Sequence, residues 1–108
     1  MISPQTIEAA AQRIVAAAHA PWKVILFGSQ ATGEATAESD IDLMVIEDSV
    51  PDMREEYRRL RTAIGEIGAG VDLLIYSREE FERRRQWPSS PVHEAARHGK
   101  VLYERPTP

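Results

Sequence analysis

Cysteine is absent from the 108 residues of this chain, and several classes of protein are excluded with it. Without thiol groups, the chain has no disulfide framework, no zinc site built from thiolates and no cysteine nucleophile. The absence of cysteine suits a reducing compartment, so a cytoplasmic location is expected.

Long apolar runs are also lacking. The alanine-rich N-terminal segment carries Glu8 and Arg13 within its apolar part and has no basic leader. We therefore expect neither a signal peptide nor a membrane-spanning helix.

A broad basic surface is not expected either, because the formal net charge is -4 at pH 7. Nonspecific binding to nucleic acid depends on such a surface, so no direct nucleic-acid partner is predicted. Arginines do cluster at positions 58, 59 and 61 and again at 83, 84 and 85. Solvated helix faces are the favoured interpretation of both clusters, with docking of a partner as the alternative.

The composition that remains is typical of a small globular domain. Apolar residues make up 43% of the chain and charged residues 28%, and no internal repeat or linker is visible. A chain of this length can bury a core without disulfides or metals. A single domain spanning residues 1–108 is therefore predicted.

Periodicity and capping signals predict an alternation of helices and strands. Ser3 and Pro4 are typical of a helix start, and an apolar stripe at helical spacing follows until Pro21. Strands are predicted at residues 22–27, 41–46, 71–76 and, as a last short one, 101–103. A short helical turn is expected near Ser29, immediately after the first strand.

The segment between the second and third strands predicts a helix that begins at Pro51 and is closed by Gly68 and Gly70. Its apolar face is predicted to consist of Met53, Tyr57, Leu60, Ile64 and Ile67. Such a crossover allows the second and third strands to be parallel neighbours.

Two further helices are predicted after the third strand. Ser77 with Glu80 forms a capping box for the first of them, which Pro88 ends, and Ser90 with Pro91 begins a short helix that ends near Gly99. The predicted fold class is α/β (α+β), a small mixed sheet flanked by helices.

Three aspartates fall at the beginnings of two predicted strands. Asp40 and Asp42 point to one face because side chains alternate along a strand, and Asp72 lies one residue inside the third strand. If the two strands are neighbours, the three carboxylates converge at one edge of the sheet. Their mutual repulsion would raise their pKa values, and a hard cation such as Mg²⁺ would relieve it.

Gly28 and Ser29 supply a complementary signal at the end of the first strand. Glycine lets the backbone approach a ligand closely, the following amide groups favour an anion, and the serine adds a hydroxyl donor. Facing the carboxylates, this pair predicts a site for a metal-bound nucleoside triphosphate.

The combined pattern is Gly28-Ser29, ten residues, Asp40-Ile41-Asp42 and a later Val-Asp-Leu at Asp72. It resembles the minimal nucleotidyltransferases (MNT) of the DNA polymerase β superfamily, over residues 22–76 and in spacing as well as residue type. The resemblance implies a polymerase β-like nucleotidyltransferase fold. It also implies a nucleotidyltransferase that moves a nucleoside monophosphate, AMP from ATP, onto a hydroxyl with two Mg²⁺ ions.

The resemblance further implies a role for each motif residue. Asp40 and Asp42 would bind both Mg²⁺ ions, and Asp72 would bind the catalytic ion and help to deprotonate the acceptor hydroxyl. Gly28 and Ser29 would hold the β- and γ-phosphates. One position departs from the family, because Thr32 stands where many relatives carry an arginine, which puts the strength of phosphate contact in question.

The resemblance also implies a partner. Minimal transferases of this kind are typically paired with a helical HEPN-domain protein, often a ribonuclease toxin, and act as its antitoxin, in some pairs by adding AMP to a tyrosine of the toxin. A hetero-oligomer with that role is expected here. A stand-alone transferase acting on a small molecule, an antitoxin that acts by docking alone and a nucleotide sensor without product remain open.

Overall fold

The computed structural model describes residues 2–35 and 40–106. The strands in these residues are β1 (Pro21–Phe27), β2 (Ile41–Glu47), β3 (Val71–Ser77) and β4 (Lys100–Glu104). The helices are α1 (Pro4–Ala17), α2 (Ser29–Thr32), α3 (Met53–Ile64), α4 (Arg78–Arg84) and α5 (Pro91–His98). This order confirms the predicted one, including the short helix at Ser29 and the last strand.

The strands form one mixed sheet in the order β3-β2-β1-β4. β1 is antiparallel to both β2 and β4, whereas β2 and β3 run parallel. The crossover through α3 makes this parallel pairing possible, as the sequence predicted. The predicted mixed sheet flanked by helices is therefore confirmed.

The two central strands are buried on both faces, which explains why they are almost continuously apolar. One face packs under α1 and α3, with Leu43 and Val45 of β2 among the buried side chains. The other face packs under α4 and α5, around Met44, Ile46 and Phe81. Polar functional side chains are therefore expected only at the ends of these strands.

The predicted bounds of α3 were wrong at both ends. The helix begins at Met53, because the Asp52 carboxylate accepts a hydrogen bond from the Glu55 N–H at 3.1 Å and caps the first turn. It ends at Ile64, where Gly65 takes a φ of 65°. Arg13 of α1 donates to the Ile64 carbonyl at 3.0 Å, which supplies a partner for the last turn.

The predicted apolar face of α3 was wrong in part. Leu60 and Ile64 are buried, but Met53 is 46% exposed and Tyr57 44% exposed. Glu56 is buried instead, because its carboxylate accepts hydrogen bonds from the His19 N–H and the Arg59 guanidinium, both at 2.8 Å. The His19 N–H, 37 residues away in the chain, is the long-range partner that favours an inward-facing acid at this position. Ile67, the fifth predicted member, lies beyond the helix and is partly buried.

Glu47 at the end of β2 is buried close to Glu56. Its Oε1 accepts from the Ala20 N–H at 3.0 Å, while Oε2 has no hydrogen-bond partner within the described residues. Burial first, and then the Glu56 carboxylate, raise the pKa of Glu47 to about 7. Burial also tends to raise the pKa of Glu56, but the neighbouring Glu47 carboxyl group, the hydrogen bond from the His19 N–H and the charge of Arg59 lower it overall.

None of the helices in the described ranges is both long enough and apolar enough to cross a membrane.

Candidate active site

The register of the sheet brings two of the predicted acids together. Asp42 of β2 lies opposite Asp72 of β3 in the parallel pair, and it lies opposite Phe27 of β1 in the antiparallel pair. The Asp72 carboxylate lies close enough to Asp42 to raise the pKa of Asp42. Gly28 follows Phe27 directly, so the Gly28-Ser29 turn borders the same acids from the other side.

Gly28 meets two requirements that other residues do not. Its φ of 72° and ψ of -152° belong to a region that only glycine adopts readily. A β-carbon at this position would also overlap Oδ2 of Asp42. The backbone of Gly28 therefore lies directly against the Asp42 carboxylate, and α2 starts at the next residue without a side-chain cap on its first amides.

Asp40 lies just before β2, against a second glycine. A β-carbon at Gly70 would come within 2.5 Å of Oδ1 of Asp40. Gly70 also accepts a hydrogen bond from the Ile41 N–H at 2.9 Å, which starts the β2–β3 ladder. The sequence assigned Gly70 only to the end of a helix and missed this contact. The position of Gly70, two residues before Asp72, was the sequence feature that could have indicated this contact.

The electrostatics of the site follow from this packing. The pKa of Asp42 is raised to about 6, by burial first, then by the hydrogen bond and charge of Asp72, and last by the charge of Asp40. Among the described residues, neither arginine nor lysine forms an ion pair with any of the three. The repulsion between these carboxylates is thus not balanced by a side chain in that part of the protein.

The donors offered here are carboxylate oxygens, which are the ligands that Mg²⁺ prefers. Asp42 and Asp72 lie opposite each other on neighbouring strands, and Asp40 is close enough to raise the pKa of Asp42. Across residues 2–35 and 40–106, no three acidic or histidine side chains already stand as a closed metal-binding group. The residue types and the excess of negative charge fit a divalent cation, and strand pairing brings two of the three predicted acids, Asp42 and Asp72, opposite each other.

A cavity of about 330 Å³ opens beside the acid pair. Asp42 and Asp72 line it together with Phe27, Leu74 and Pro91 on one side and Tyr57 of α3 on the other. A larger hollow of about 390 Å³ lies against Pro4, Gln5 and Glu8 at the start of α1, away from these acids. Tyr57 was predicted as a core residue, and its place in the wall of the candidate site was missed.

Thr32 closes the short helix after Ser29. Its hydroxyl donates to the Glu34 carboxylate at 2.9 Å and lies 3.4 Å from the Gly28 carbonyl. The position that carries an arginine in many relatives therefore holds a neutral side chain bound to an acid.

Comparison with known proteins agrees with this architecture. The family model described as polymerase beta, nucleotidyltransferase matches residues 10–107. A predicted protein adenylyltransferase of Methanocaldococcus jannaschii is 32% identical over 81 residues, which cover 75% of this chain and 77% of the relative.

Solved structures share the fold. A predicted nucleotidyltransferase from Sulfolobus solfataricus aligns with a TM-score of 0.65 at 16% identity, over 94% of this chain and 79% of that one. A toxin–antitoxin crystal structure with AMP-PNP aligns at 0.58 with 22% identity, over 94% and 73% of the two chains. A mutant of the toxin–antitoxin MntA–HpeT aligns at 0.57 with 20% identity, over 88% and 70%.

These structural likenesses bear on the fold, and they confirm the predicted polymerase β-like arrangement. The family match extends over nearly the whole chain, well beyond the motif residues. It confirms the predicted nucleotidyltransferase resemblance and enzyme class. The chain belongs to the polymerase beta family of nucleotidyltransferases.

Proposed function

We propose that this protein transfers AMP from ATP onto a hydroxyl group of a partner protein, with Asp40, Asp42 and Asp72 as its acidic centre. The observation that carries this proposal is the pairing of Asp42 with Asp72 on neighbouring strands, beside the backbone of Gly28 and in the lining of a cavity of about 330 Å³. The name of the M. jannaschii relative supports adenylyl transfer. The AMP-PNP in one structural neighbour supports an adenine nucleotide.

Asp40 and Asp42 would hold two Mg²⁺ ions, and Asp72 would hold one of them. The fit rests on a donor set made of carboxylates that form no ion pair with arginine or lysine among the described residues. When bound, Mg²⁺ would neutralise charge on the carboxylates and on the triphosphate.

The remaining steps belong to the residues of this chain. The amides after Gly28 and the Ser29 hydroxyl bind the β- and γ-phosphates, which fixes the direction of the leaving group. The acceptor oxygen forms a bond to the α-phosphorus, the bond from that phosphorus to the bridging oxygen breaks, and pyrophosphate leaves with the electron pair. Asp72 takes the acceptor proton and passes it to water.

The acceptor is proposed to be a tyrosine of a HEPN-domain toxin, so that the modification makes this chain an antitoxin in a hetero-oligomer. The support is that two structural neighbours are toxin–antitoxin proteins. The same neighbours fit an antitoxin that acts by docking alone, and a catalytic variant separates the two.

The test is to incubate the protein with Mg²⁺, ATP labelled at the α-phosphate, and a HEPN-domain protein encoded beside it. We expect the partner to gain the mass of one AMP on a tyrosine, and Asp42→Asn to lose the reaction. Asp52→Asn is the matched control, because Asp52 caps α3 and asparagine caps equally well.

If the wild-type protein modifies no partner with any nucleotide, the proposal is wrong. If Asp40→Asn with Asp42→Asn still protects cells from the toxin, docking is sufficient for neutralisation. Product formed without any partner, on a small hydroxyl compound, would instead identify a stand-alone transferase.

A further inference from the structure

The outer edge of β3 presents backbone groups next to the candidate active site. Among residues 2–35 and 40–106, β3 is the last strand on its side of the sheet. The Ile41 N–H donates to the Gly70 carbonyl, and Ile41 lies opposite Val71. Because alternate residues of a parallel strand turn their backbone groups to opposite sides, Val71, Leu73 and Ile75 turn theirs away from β2.

A side-chain contact confirms this direction. The Arg61 guanidinium of α3 donates to the Val71 carbonyl at 2.7 Å, from the side opposite to β2. In the part of the chain that the structure describes, no backbone hydrogen bond reaches the outward groups of Leu73 or Ile75. The side chains of Leu73 and Ile75 are buried in the core, and their outward N–H and C=O groups are a template for an added strand, whereas the Val71 carbonyl already accepts from Arg61.

This edge and the acids share one space. The cavity of about 330 Å³ is lined by Val71 and Leu73 of the edge as well as by Asp42 and Asp72. A segment lying along the edge would therefore enter the same cavity in which the acid pair stands.

α3 provides an apolar wall on the far side of the edge. Met53, Tyr57 and Arg61 follow each other at four-residue spacing, so they form one stripe on the helix. Tyr57 lines the cavity at 44% exposure, and Met53 is 46% exposed. Large apolar side chains left open along a strand edge fit the side chains of a bound segment.

We propose that an extended polypeptide segment adds to the outer edge of β3 and so presents its hydroxyl side chain to Asp72. This inference rests on the proposed function and names its acceptor class. Residues opposite each other on neighbouring strands share a face, so a residue opposite Asp72 projects to the face of Asp72. The residues on either side of it project to the opposite face, towards Tyr57 and α3.

The charge and shape of the groove favour a polypeptide over a nucleic acid. Binding of a sugar–phosphate backbone usually relies on a broad basic surface, which a net charge of -4 does not favour. A polypeptide backbone carries no charge of its own, and its amides match the outward groups of β3. The transfer itself is unchanged: the acceptor O–H bond breaks, an O–P bond forms, and pyrophosphate leaves.

The first test uses amide hydrogen exchange in the free protein and requires no activity. The Leu73 and Ile75 amides face outward and should exchange faster than those of Asp72 and Leu74, which face β2. Binding of a short peptide centred on the labelled tyrosine of the partner should then slow Leu73 and Ile75. Equal protection of all four amides in the free protein would mean that the edge is covered, and the proposal would be overturned.

The second test scans that same peptide with single N-methyl groups. Each N-methyl group on an amide that faces β3 should reduce AMP labelling by about tenfold. A tenfold loss corresponds to the upper end of the free energy of one hydrogen bond. Methylation of the alternate amides should change it by less than about twofold. A response without this period of two would overturn the added strand and leave the proposed function standing.

A matched pair of variants completes the test. Tyr57→Ala should weaken labelling of the peptide several-fold through KM, while Arg58→Ala, the exposed neighbour on α3, should not. If no acceptor of any kind is labelled by the wild-type protein, the proposed function has failed and the inference falls with it. If free N-acetyl-tyrosine amide is labelled as efficiently as the peptide, strand addition contributes nothing and the inference alone is wrong.

Discussion

Gly28→Ala is expected to abolish AMP transfer while the protein stays folded. The three atoms nearest to a β-carbon at this position all belong to the Asp42 side chain. A carboxylate can rotate away, so the sheet need not open, but Asp42 would leave its place beside Asp72. Misplacing a catalytic group by about 1 Å costs about 100-fold in rate, and we expect a loss of at least that size.

Gly65→Ala is the matched control, because the two glycines have nearly the same backbone conformation. Gly28 has φ 72° and ψ -152°, and Gly65 has φ 65° and ψ -155°. A β-carbon at Gly65 meets no heavy atom within 4 Å. Each alanine therefore carries similar backbone strain, about 1 to 3 kcal/mol, but only the one at position 28 displaces an acid.

Urea unfolding and single-turnover transfer of AMP, measured on both variants, check this reasoning. Both variants should lose a similar free energy of unfolding, and only Gly28→Ala should lose activity. Full activity in Gly28→Ala, or an equal loss of activity in Gly65→Ala, would refute the account of Gly28 as the neighbour of a catalytic carboxylate.

Three further changes test other parts of the structure. Asp72→Asn should lower the pKa of Asp42, which NMR titration measures. It should raise the free energy of unfolding in urea by up to about 1 kcal/mol, because the site is partly exposed. It should also abolish AMP transfer in the transfer assay. Glu47 has a raised pKa of about 7 in the folded state, so its contribution to stability is present at low pH and is lost as pH rises through about 7. The free energy of unfolding should therefore fall between pH 4.5 and about 7, and Glu47→Gln should flatten that fall; an unchanged slope would contradict the assignment. Thr32→Arg adds a cation beside the Gly28-Ser29 turn, so it should lower the KM for ATP several-fold with little change in kcat. Steady-state kinetics measure both constants. An unchanged KM would mean that position 32 does not reach the phosphates.

The features that could be predicted from the sequence are those encoded locally. The strands at β1 and β2 are continuous apolar runs, and the helix at Pro91 has its own cap, so each was readable without the rest of the chain. The convergence of Asp42 and Asp72 was also predictable, because it needs only alternation along each strand and parallel pairing of two neighbours.

The features that were missed depend on distant partners. Glu56 is buried because the His19 N–H and Arg59 meet its carboxylate, and no local pattern reveals a backbone donor 37 residues away. Tyr57 is consequently turned to the surface although its spacing is that of a core residue. The choice of Gly65 over Gly68 and Gly70 as the end of α3 likewise depends on Arg13 reaching across from α1.

The outer edge of β3 also bears on the solubility of the protein. An edge that can receive a strand can receive the same edge of another copy, which is a common route from a native sheet to an aggregate. Each copy carries the exposed Asp72 carboxylate on this edge strand, and charged side chains on an edge strand oppose such pairing at neutral pH. The acid proposed to take a proton in AMP transfer would therefore also help to keep the folded chains apart.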